Sequence, residues 1–398
     1  MLRGTYHAKL SDVQVSCKLS ASFLQVWLAT LRAMDITITD IHARAALRLA
    51  RRDDAPFVLL PVNEEQPASY VPKDQRDIAR RALDQLGVAP YSRPLHIRVA
   101  KDAFRGKKGD VRQHLSTNRF PEGSFQQLVP QDRSLADWIT GHDLRILVDG
   151  PELSALSFAG AVQRLVTSGD SGELARKVVP VARTLGYVGE LCGTFARGWD
   201  AFQPGETCFE LEPIMTLGEF TTFLGKVRNI DGLTVARTVA QWSTERQDSP
   251  MEVLLYAMLV MRPGLGGLHL PPPQTNKPLP LKPSERKLIT HDTITPDMWW
   301  KLYKLILEYD GPYHYEEAGI REDKRRIRDY QTLGYTVFPV AAEDMRSVAS
   351  FDRFVRPITR VMSRVEGRSF ARRVDAVLAN PDYRARRSLL LSTLNMAD

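Results

Sequence analysis

The sequence predicts a protein of the α/β class, α+β overall, whose last third forms a small mixed sheet flanked by helices. Three observations predict this fold class. Short alternating runs broken by Gly and Pro lie between residues 93 and 158. Apolar residues at helical spacing follow in several stretches up to residue 244. Near the C-terminus a charged helical stretch, 322–333, separates two strand-like runs, which is the usual sign of a parallel crossover.

The order of these patterns predicts three segments. Residues 1–90 are expected to form a helical N-terminal region, 91–244 a middle domain with strands before helices, and 245–398 a C-terminal domain with a basic helical tail. A chain of 398 residues that is 43% hydrophobic has enough apolar material for two or three domains.

Composition excludes several classes of protein. No apolar run reaches 18 residues and the N-terminus lacks the apolar core of a signal peptide, so we expect a cytoplasmic protein with no membrane partner. The three cysteines, Cys17, Cys192 and Cys208, are far apart, which predicts reduced thiols and neither a disulfide framework nor a zinc site. The eight histidines show no metal-ligand spacing.

Two helical patterns in the N-terminal region, at 23–34 and 40–52, are compatible with a helix-turn-helix. In the second pattern Arg44, Arg48 and Arg51 share one face, as they would on a helix that reads DNA. Charge runs more often mark exposure, so the favoured interpretation is an amphipathic packing helix with a solvated basic face.

Carboxylates end a strand-like run in the C-terminal segment. Alternation in residues 303–310 places Leu305, Leu307 and Tyr309 on one face, and Ile306, Glu308 and Asp310 on the other. Two acids therefore project together from one strand end. Upstream, Ser249 precedes Pro250 and Glu252, a pattern that predicts a helix start with a capping box.

These residues carry a resemblance to a known superfamily. The chain from residue 249 to 345 resembles the PD-(D/E)xK nucleases, and within them the branch of the very-short-patch-repair endonucleases, where Glu-x-Asp-Gly-x-x-His recurs. The matching residues are Thr295-Pro296-Asp297, Glu308-Tyr309-Asp310-Gly311 and His314, followed by Leu333-Gly334-Tyr335. The resemblance implies a restriction-endonuclease-like mixed sheet flanked by helices.

The resemblance also implies a site. Asp297, Glu308 and Asp310 would bind a metal ion, His314 would position a water or protonate the leaving oxygen, and Glu252 would add an acid from its helix. Mg²⁺, or Mn²⁺, is the expected ion, because phosphodiester hydrolysis needs a hard cation and Mg²⁺ favours one or two carboxylates plus waters.

One position departs from the superfamily pattern. Asp310 stands where the (D/E)xK signature has lysine, which leaves the activating cation unassigned. Lys324 or Arg326, on the following helix, would supply positive charge near the phosphate. The competing interpretation is structural, since Asp-Gly is a common turn dipeptide and the two acids would then only end a strand.

The last 53 residues carry nearly all of the net charge of +7, because eleven arginines there face five acids. Arg353, Arg360 and Arg364 recur at helical spacing beside an apolar stripe. This arginine face would follow a DNA backbone, and a plain solvated face fits the pattern equally well. Pro357 is expected to kink the helix or to mark its start.

Two functions remain open at this level. The first is a metal-dependent DNA endonuclease. The second is a non-catalytic, DNA-binding regulator, because residues 90–244 resemble loosely the middle of AbiEi-like abortive-infection antitoxin proteins, which implies a link to phage defence. Both candidate functions imply DNA as a partner. A homodimer, or a cognate toxin or antitoxin partner, is compatible with each of them.

Overall fold

The computed structural model describes residues 34–89, 93–100, 109–198, 207–310 and 323–395, together with the backbone of a helix at Glu317–Thr332. Cys17, His314 and residues 23–33 of the helix expected at 23–34 lie outside the described residues, and Met34 begins a strand. Mixed parallel and antiparallel sheets covered by helices confirm the predicted α/β class. None of the described helices combines the length and the apolar character that crossing a membrane requires.

A six-stranded sheet is formed by strands between Met34 and Asp149. Its strands lie in the order β2-β5-β6-β1-β3-β4, with β6 parallel to β1, β3 parallel to β4, and the remaining pairs antiparallel. The elements, in chain order, are β1 (Met34–Ile38), α1 (Asp40–Leu49), β2 (Phe57–Val62), α2 (Lys73–Gln85), β3 (Leu95–Val99), β4 (Val111–Leu115), β5 (Phe125–Pro130), α3 (Arg133–Gly141) and β6 (Leu144–Asp149).

This sheet corrects the expected segments. Residues 34–89 contain two strands besides α1 and α2, so the described part of the N-terminal region mixes strands and helices and is not wholly helical as predicted. β1 is central and pairs with β6, 110 residues further along the chain. The expected boundary near residue 90 therefore passes through one sheet, whose apolar side chains form one core with α1, α2 and α3.

The basic face of α1 is neither solvated nor available to read DNA. Arg48 donates from Nε and Nη2 to the buried carboxylate of Glu190, at 2.7 and 2.8 Å. Arg51 donates to the backbone oxygens of Glu190, Gly193 and Phe195. The expected packing helix is confirmed, but its basic face is not solvated as expected, because Arg48 of α1 and Arg51, just beyond its end, bind Glu190 and nearby backbone oxygens. The structure also places a strand, β1, directly before α1.

A helical layer follows, and its apolar side chains continue into the C-terminal part. It contains α4 (Pro151–Ser168), α5 (Glu173–Cys192), α6 (Leu217–Lys226) and α7 (Leu233–Trp242), with a short hairpin of β7 (Ala196–Arg197) and β8 (Thr207–Cys208). These helices share one large core with the helices and one sheet face of the C-terminal part.

The C-terminal part contains a four-stranded sheet with the order β12-β11-β10-β9. Only β11 and β12 are parallel, joined by a helix, as the crossover pattern predicts. Its elements are α8 (Pro250–Val260), β9 (Gln274–Thr275), α9 (Pro283–Arg286), β10 (Met298–Trp300), β11 (Leu305–Asp310), α10 (Glu317–Thr332), β12 (Thr336–Ala341), α11 (Val348–Glu366), α12 (Arg368–Ala379) and α13 (Pro381–Asn395). α11 runs through Pro357 and does not start there.

Helices α4 and α7 contact each other at two glycines, Gly160 within α4 and Gly232 directly before α7. Gly232 adopts a φ of 84°, and a Cβ there would lie 2.2 Å from the backbone nitrogen of Gly160. Gly232→Ala is therefore expected to lower the free energy of unfolding by about 2–4 kcal/mol, from backbone strain and overpacking together. Urea unfolding followed by tryptophan fluorescence measures the change.

Gly225→Ala on α6 is the matched control for this substitution. Its Cβ would meet nothing within 4 Å and its φ is negative, so the free energy of unfolding should rise by about 0.4–1 kcal/mol. Equal stability of the Gly232→Ala protein and the wild type would contradict the close contact between α4 and α7.

Candidate functional site

The alternation predicted for β11 is confirmed. Leu305 and Leu307 are fully buried in the large core, whereas Ile306 packs on the opposite face with Trp299 and Tyr330. Glu308 belongs to this second face and is only 2% exposed. The Glu308 carboxylate therefore lies inside the protein, on an inner strand of the C-terminal sheet and next to the aromatic side chains of Trp299 and Tyr330.

Asp297 and Glu308 hold each other in place through the backbone. The Tyr309 amide donates to Oδ2 of Asp297 at 2.6 Å, and the Asp297 amide donates to Oε1 of Glu308 at 3.3 Å. Asp297 immediately precedes β10, which pairs antiparallel with β11, so the register Met298↔Leu307 brings the two acids side by side. Their closeness follows from strand pairing.

Arg326 supplies the cation nearest to these acids. Its Nη2 lies 3.2 Å from Oε2 of Glu308 and 3.0 Å from Oδ1 of Asp323, one helical turn earlier on α10. Of the two cations expected on this helix, Arg326 faces the acids and Lys324 is exposed. A positive charge next to the two acids thus comes from α10.

Glu252 occupies a supporting position. Its Oε1 accepts from the Ser249 hydroxyl at 2.9 Å, and its Oε2 accepts from the Asp248 amide at 3.1 Å and from Nδ2 of Asn276 at 2.7 Å. The backbone amide of Asn276 in turn donates to the backbone carbonyl of Asp297. The predicted helix start is confirmed, with Glu252 reaching Asp248 rather than the N-cap amide, and the contacts place Glu252 behind Asp297 as a positioning residue.

The three buried acids share one electrostatic environment. Burial and then the charge of Asp297 raise the pKa of Glu308 to about 8, although Arg326 opposes the rise. The same two causes raise the pKa of Glu252 to about 8. Burial raises the pKa of Asp297 to about 6. Without a further cation, the site therefore disfavours full ionisation of its acids.

The remaining predicted residues are dispersed. Asp310 is exposed at the end of β11, and its charge adds to the raised pKa of Asp297. His314 lies outside the described residues. Arg353, Arg360 and Arg364 are exposed on α11, so the solvent-facing arginine stripe of the tail is confirmed.

A second group of ligand-type side chains lies in the N-terminal sheet. Among the described residues, Asp40, His96 and His114 alone bring three metal-ligand atoms within 4.8 Å of one another, so these side chains can hold a metal ion. Asp297, Glu308 and Asp310 do not close to that spacing. The expectation that the histidines form no ligand cluster is therefore wrong.

The second group unites distant parts of the chain. His96 lies on β3 and His114 on the parallel strand β4, while Asp40 begins α1. Nδ1 of His96 is 3.1 Å from Oδ2 of Asp40 and 3.1 Å from Nε2 of His114. A signal exists in the sequence, because His96 and Arg98 alternate with apolar residues in a strand that is buried on both faces.

The charges of this group differ from those of the C-terminal acids. Burial lowers the pKa of His114 to about 4, which keeps the imidazole neutral near pH 7. Although burial opposes it, the hydrogen bond to His96 and the charge of Arg44 hold the pKa of Asp40 well below its usual range. The group thus combines an ionised carboxylate with a neutral imidazole.

A buried ion pair adjoins the second group. Arg98 donates from Nε to Oδ1 of Asp149 at 2.8 Å, and its Nη2 reaches Thr39 and Ser157, each at 2.8 Å. Asp149 is fully buried at the end of β6.

No protein-family model matches the chain, and no curated protein or solved structure is significantly similar to it.

Proposed function

We propose that this chain is a metal-dependent DNA endonuclease whose site is formed by Asp297 and Glu308. The observation that carries the proposal is the pair of acids held side by side where β10 and β11 pair, each carboxylate accepting a hydrogen bond from a backbone amide, with Glu308 inside the protein. Burying acids beside one another costs stability, and such an arrangement with raised pKa values is typical of sites that bind a cation or catalyse a reaction.

The acids fit a hard divalent cation. Glu308 is buried, its Oε2 forms a 3.2 Å ion pair with Arg326, and Tyr330 is the other side chain that hydrogen-bonds to this carboxylate. Asp297 and Glu308 would hold Mg²⁺ or Mn²⁺, with Asp310 at the exposed edge, and this number of carboxylates matches the preference of Mg²⁺. A bound ion would offset charge on the scissile phosphate and acidify a water.

The protein's own groups prepare this site. Glu252 accepts a hydrogen bond from the side chain of Asn276, and the backbone amide of Asn276 donates to the carbonyl of Asp297. Helix α8, which carries Glu252, therefore helps to position Asp297. Arg326 holds Glu308 from the side of α10 and is placed to interact with a phosphate oxygen if that ion pair opens. Acid and cation therefore come from different elements that meet at β11.

The arginine stripe on α11 supplies the DNA contact in this proposal. Arg353, Arg360 and Arg364 are exposed, and their spacing of seven and four residues places them on one helix face. Replacing all three by Gln is expected to weaken binding to every DNA sequence alike. The slope of log K against log salt concentration should decrease by about 0.9 for each phosphate that the variant no longer neutralises.

Titration of a fluorescent duplex at several salt concentrations measures that slope. Arg133→Gln on α3 is the control for a change of surface charge elsewhere, because Arg133 is also exposed but lies in the N-terminal sheet region. An unchanged salt slope in the triple variant would mean that α11 is only a solvated face.

The nuclease proposal is tested by incubating purified protein with plasmid and short duplex DNA in Mg²⁺, Mn²⁺ or EDTA. We expect nicking or linearisation with either metal and none in EDTA. Single-stranded DNA and RNA in parallel reactions define the substrate class. Absence of cleavage with both metals on all four substrates would count against the proposal.

One observation favours the second candidate, a DNA-binding regulator without catalysis. Arg326 already neutralises Glu308, so an ion would have to share that carboxylate. In this case salt-sensitive DNA binding should persist in EDTA and no cleavage should occur with metal. The helix-turn-helix that would have supported this candidate loses its reading face, because Arg48 of α1 is paired with Glu190 and Arg51, just beyond α1, binds backbone oxygens.

A further inference from the structure

We propose that Asp40, His96 and His114 bind a transition-metal ion of the Zn²⁺ class, at a site separate from the acids of the C-terminal sheet. The inference does not depend on the nuclease proposal. It concerns a different sheet, different ligand chemistry and a different ion.

The spacing of the three ligand atoms supports an ion between them. Oδ2 of Asp40 lies 3.1 Å from Nδ1 of His96 and 3.9 Å from Nε2 of His114, and the two ring nitrogens are 3.1 Å apart. Bonds of about 2.0–2.1 Å at tetrahedral angles require ligand atoms about 3.3–3.4 Å apart. The observed triangle brackets this value, so an ion fits with small movements of the side chains.

Proton counting also favours an ion. Nδ1 of His96 contacts both Oδ2 of Asp40 and Nε2 of His114, yet a neutral imidazole carries at most one proton on that nitrogen. If that proton is donated to Asp40, Nδ1 has no lone pair left to accept from His114. A cation in the centre would instead accept a lone pair from all three atoms.

The backbone holds the ligands in advance. His96 is fixed at its carbonyl by the Thr39 amide and at its amide by Nδ1 of His42. Parallel pairing of β3 and β4 fixes His114 relative to His96. Asp40 adopts a φ of 56°, a left-handed conformation that Asp tolerates but that still costs energy. This strained residue directs a carboxylate toward the two histidines.

The ligand set selects the ion. Two imidazole nitrogens with one carboxylate suit Zn²⁺, Co²⁺, Ni²⁺ or Cu²⁺, whereas Mg²⁺ and Ca²⁺ prefer oxygen ligands throughout. The His96 side chain is 4% exposed, and the His114 side chain is 24% exposed, which gives an ion a route from solvent. Three protein ligands leave the fourth position of a tetrahedral ion to water or another group.

Neighbouring arginines do not preclude a cation. Arg98 is neutralised by Asp149, and Arg44 makes only a 3.9 Å contact with Oδ1 of Asp40, leaving Oδ2 to the histidines. The two carboxylate oxygens of Asp40 therefore serve different partners.

Metal titration of the untagged 398-residue chain tests the proposal. After EDTA treatment and dialysis, Zn²⁺ affinity is measured by competition with a chromophoric chelator, and Co²⁺ is used as a visible probe. Wild type should bind Zn²⁺ at this site, and His114→Ala and Asp40→Asn should each weaken that binding by more than about tenfold. Tetrahedral Co²⁺ with nitrogen ligands should give strong visible absorption that both variants lose.

The controls separate this site from the acidic one. His142→Ala removes an exposed histidine from the same sheet region and should bind Zn²⁺ as wild type does. Asp297→Asn/Glu308→Gln should also keep the strong Co²⁺ absorption, because an oxygen-ligated ion absorbs weakly. Circular dichroism verifies that the variants fold. Failure of wild type to bind Zn²⁺, or equal Zn²⁺ affinity in folded His114→Ala and Asp40→Asn, would overturn the proposal.

Discussion

Asp297→Asn and Glu308→Gln are each expected to lower the rate of metal-dependent DNA cleavage by more than about 100-fold, since even partners of metal ligands contribute 10–100-fold. Each change removes the negative charge that would attract the ion and keeps the shape of the side chain. The hydrogen bonds from the Tyr309 and Asp297 amides end on carbonyl-type oxygens in both variants, so the strand pairing should survive. Cleavage of supercoiled plasmid at saturating Mg²⁺ measures the loss.

The same substitutions are expected to preserve or raise stability. Burial raises the pKa of Glu308 to about 8 in the folded protein, from an ordinary value of 4.5. The folded state therefore binds more protons than the unfolded state between these values, and stability in EDTA falls as pH rises through that interval. Glu308→Gln removes the part of this fall that Glu308 contributes, while the raised pKa values of Glu252 and Asp297 leave the rest, so the fall should become smaller. Thermal unfolding in EDTA at pH 5 and pH 8 measures it.

Asp292→Asn provides the control for both readouts, because Asp292 is exposed nearby in the chain and has no part in the proposed site. It should change neither cleavage nor the pH dependence of stability. Wild-type cleavage by folded Asp297→Asn and Glu308→Gln proteins would place the active site elsewhere. Loss of cleavage accompanied by unfolding would show that the two acids are structural.

Much of the C-terminal site could be predicted because its determinants are local. Alternation over six residues of β11 fixes which side Glu308 occupies, and a short connection to β10 brings Asp297 opposite it. The role of Glu252 was harder to predict from the sequence. Its hydrogen bond to Asn276 spans 24 residues and depends on how the proline-rich segment folds back toward α8.

The N-terminal sheet could not be predicted in the same way. β1 gains its neighbours from residues 95–99 and 144–149, and such pairing leaves no periodic trace in the five residues of β1 itself. The arginines of α1 were misinterpreted for a related reason. A basic face at helical spacing is the same whether it meets water, DNA or the buried Glu190, and only the distant partner decides.

The largest stability effect is expected from the buried ion pair of Arg98 and Asp149. Arg98→Met would leave the fully buried Asp149 with Thr39 as its remaining hydrogen-bond donor among the side chains that the structure describes. Removing one partner of a buried pair costs about 3–5 kcal/mol, because the other charge stays in an apolar environment. Urea unfolding in EDTA should show this loss, whereas Lys177→Ala, which breaks an exposed pair with Glu173, should change little.

The double variant Arg98→Met/Asp149→Leu distinguishes lost charge pairing from lost packing. With both charges removed, no buried ion of this pair is left unpaired. The double variant should therefore lose less free energy of unfolding than the Arg98→Met and Asp149→Leu variants lose in sum. Additive losses would mean that the two residues contribute independently. The pair ties the end of β6 to β3 and, through Ser157, to α4. A strong coupling would therefore show that charge pairing helps to hold the part of the sheet on which Asp40, His96 and His114 meet.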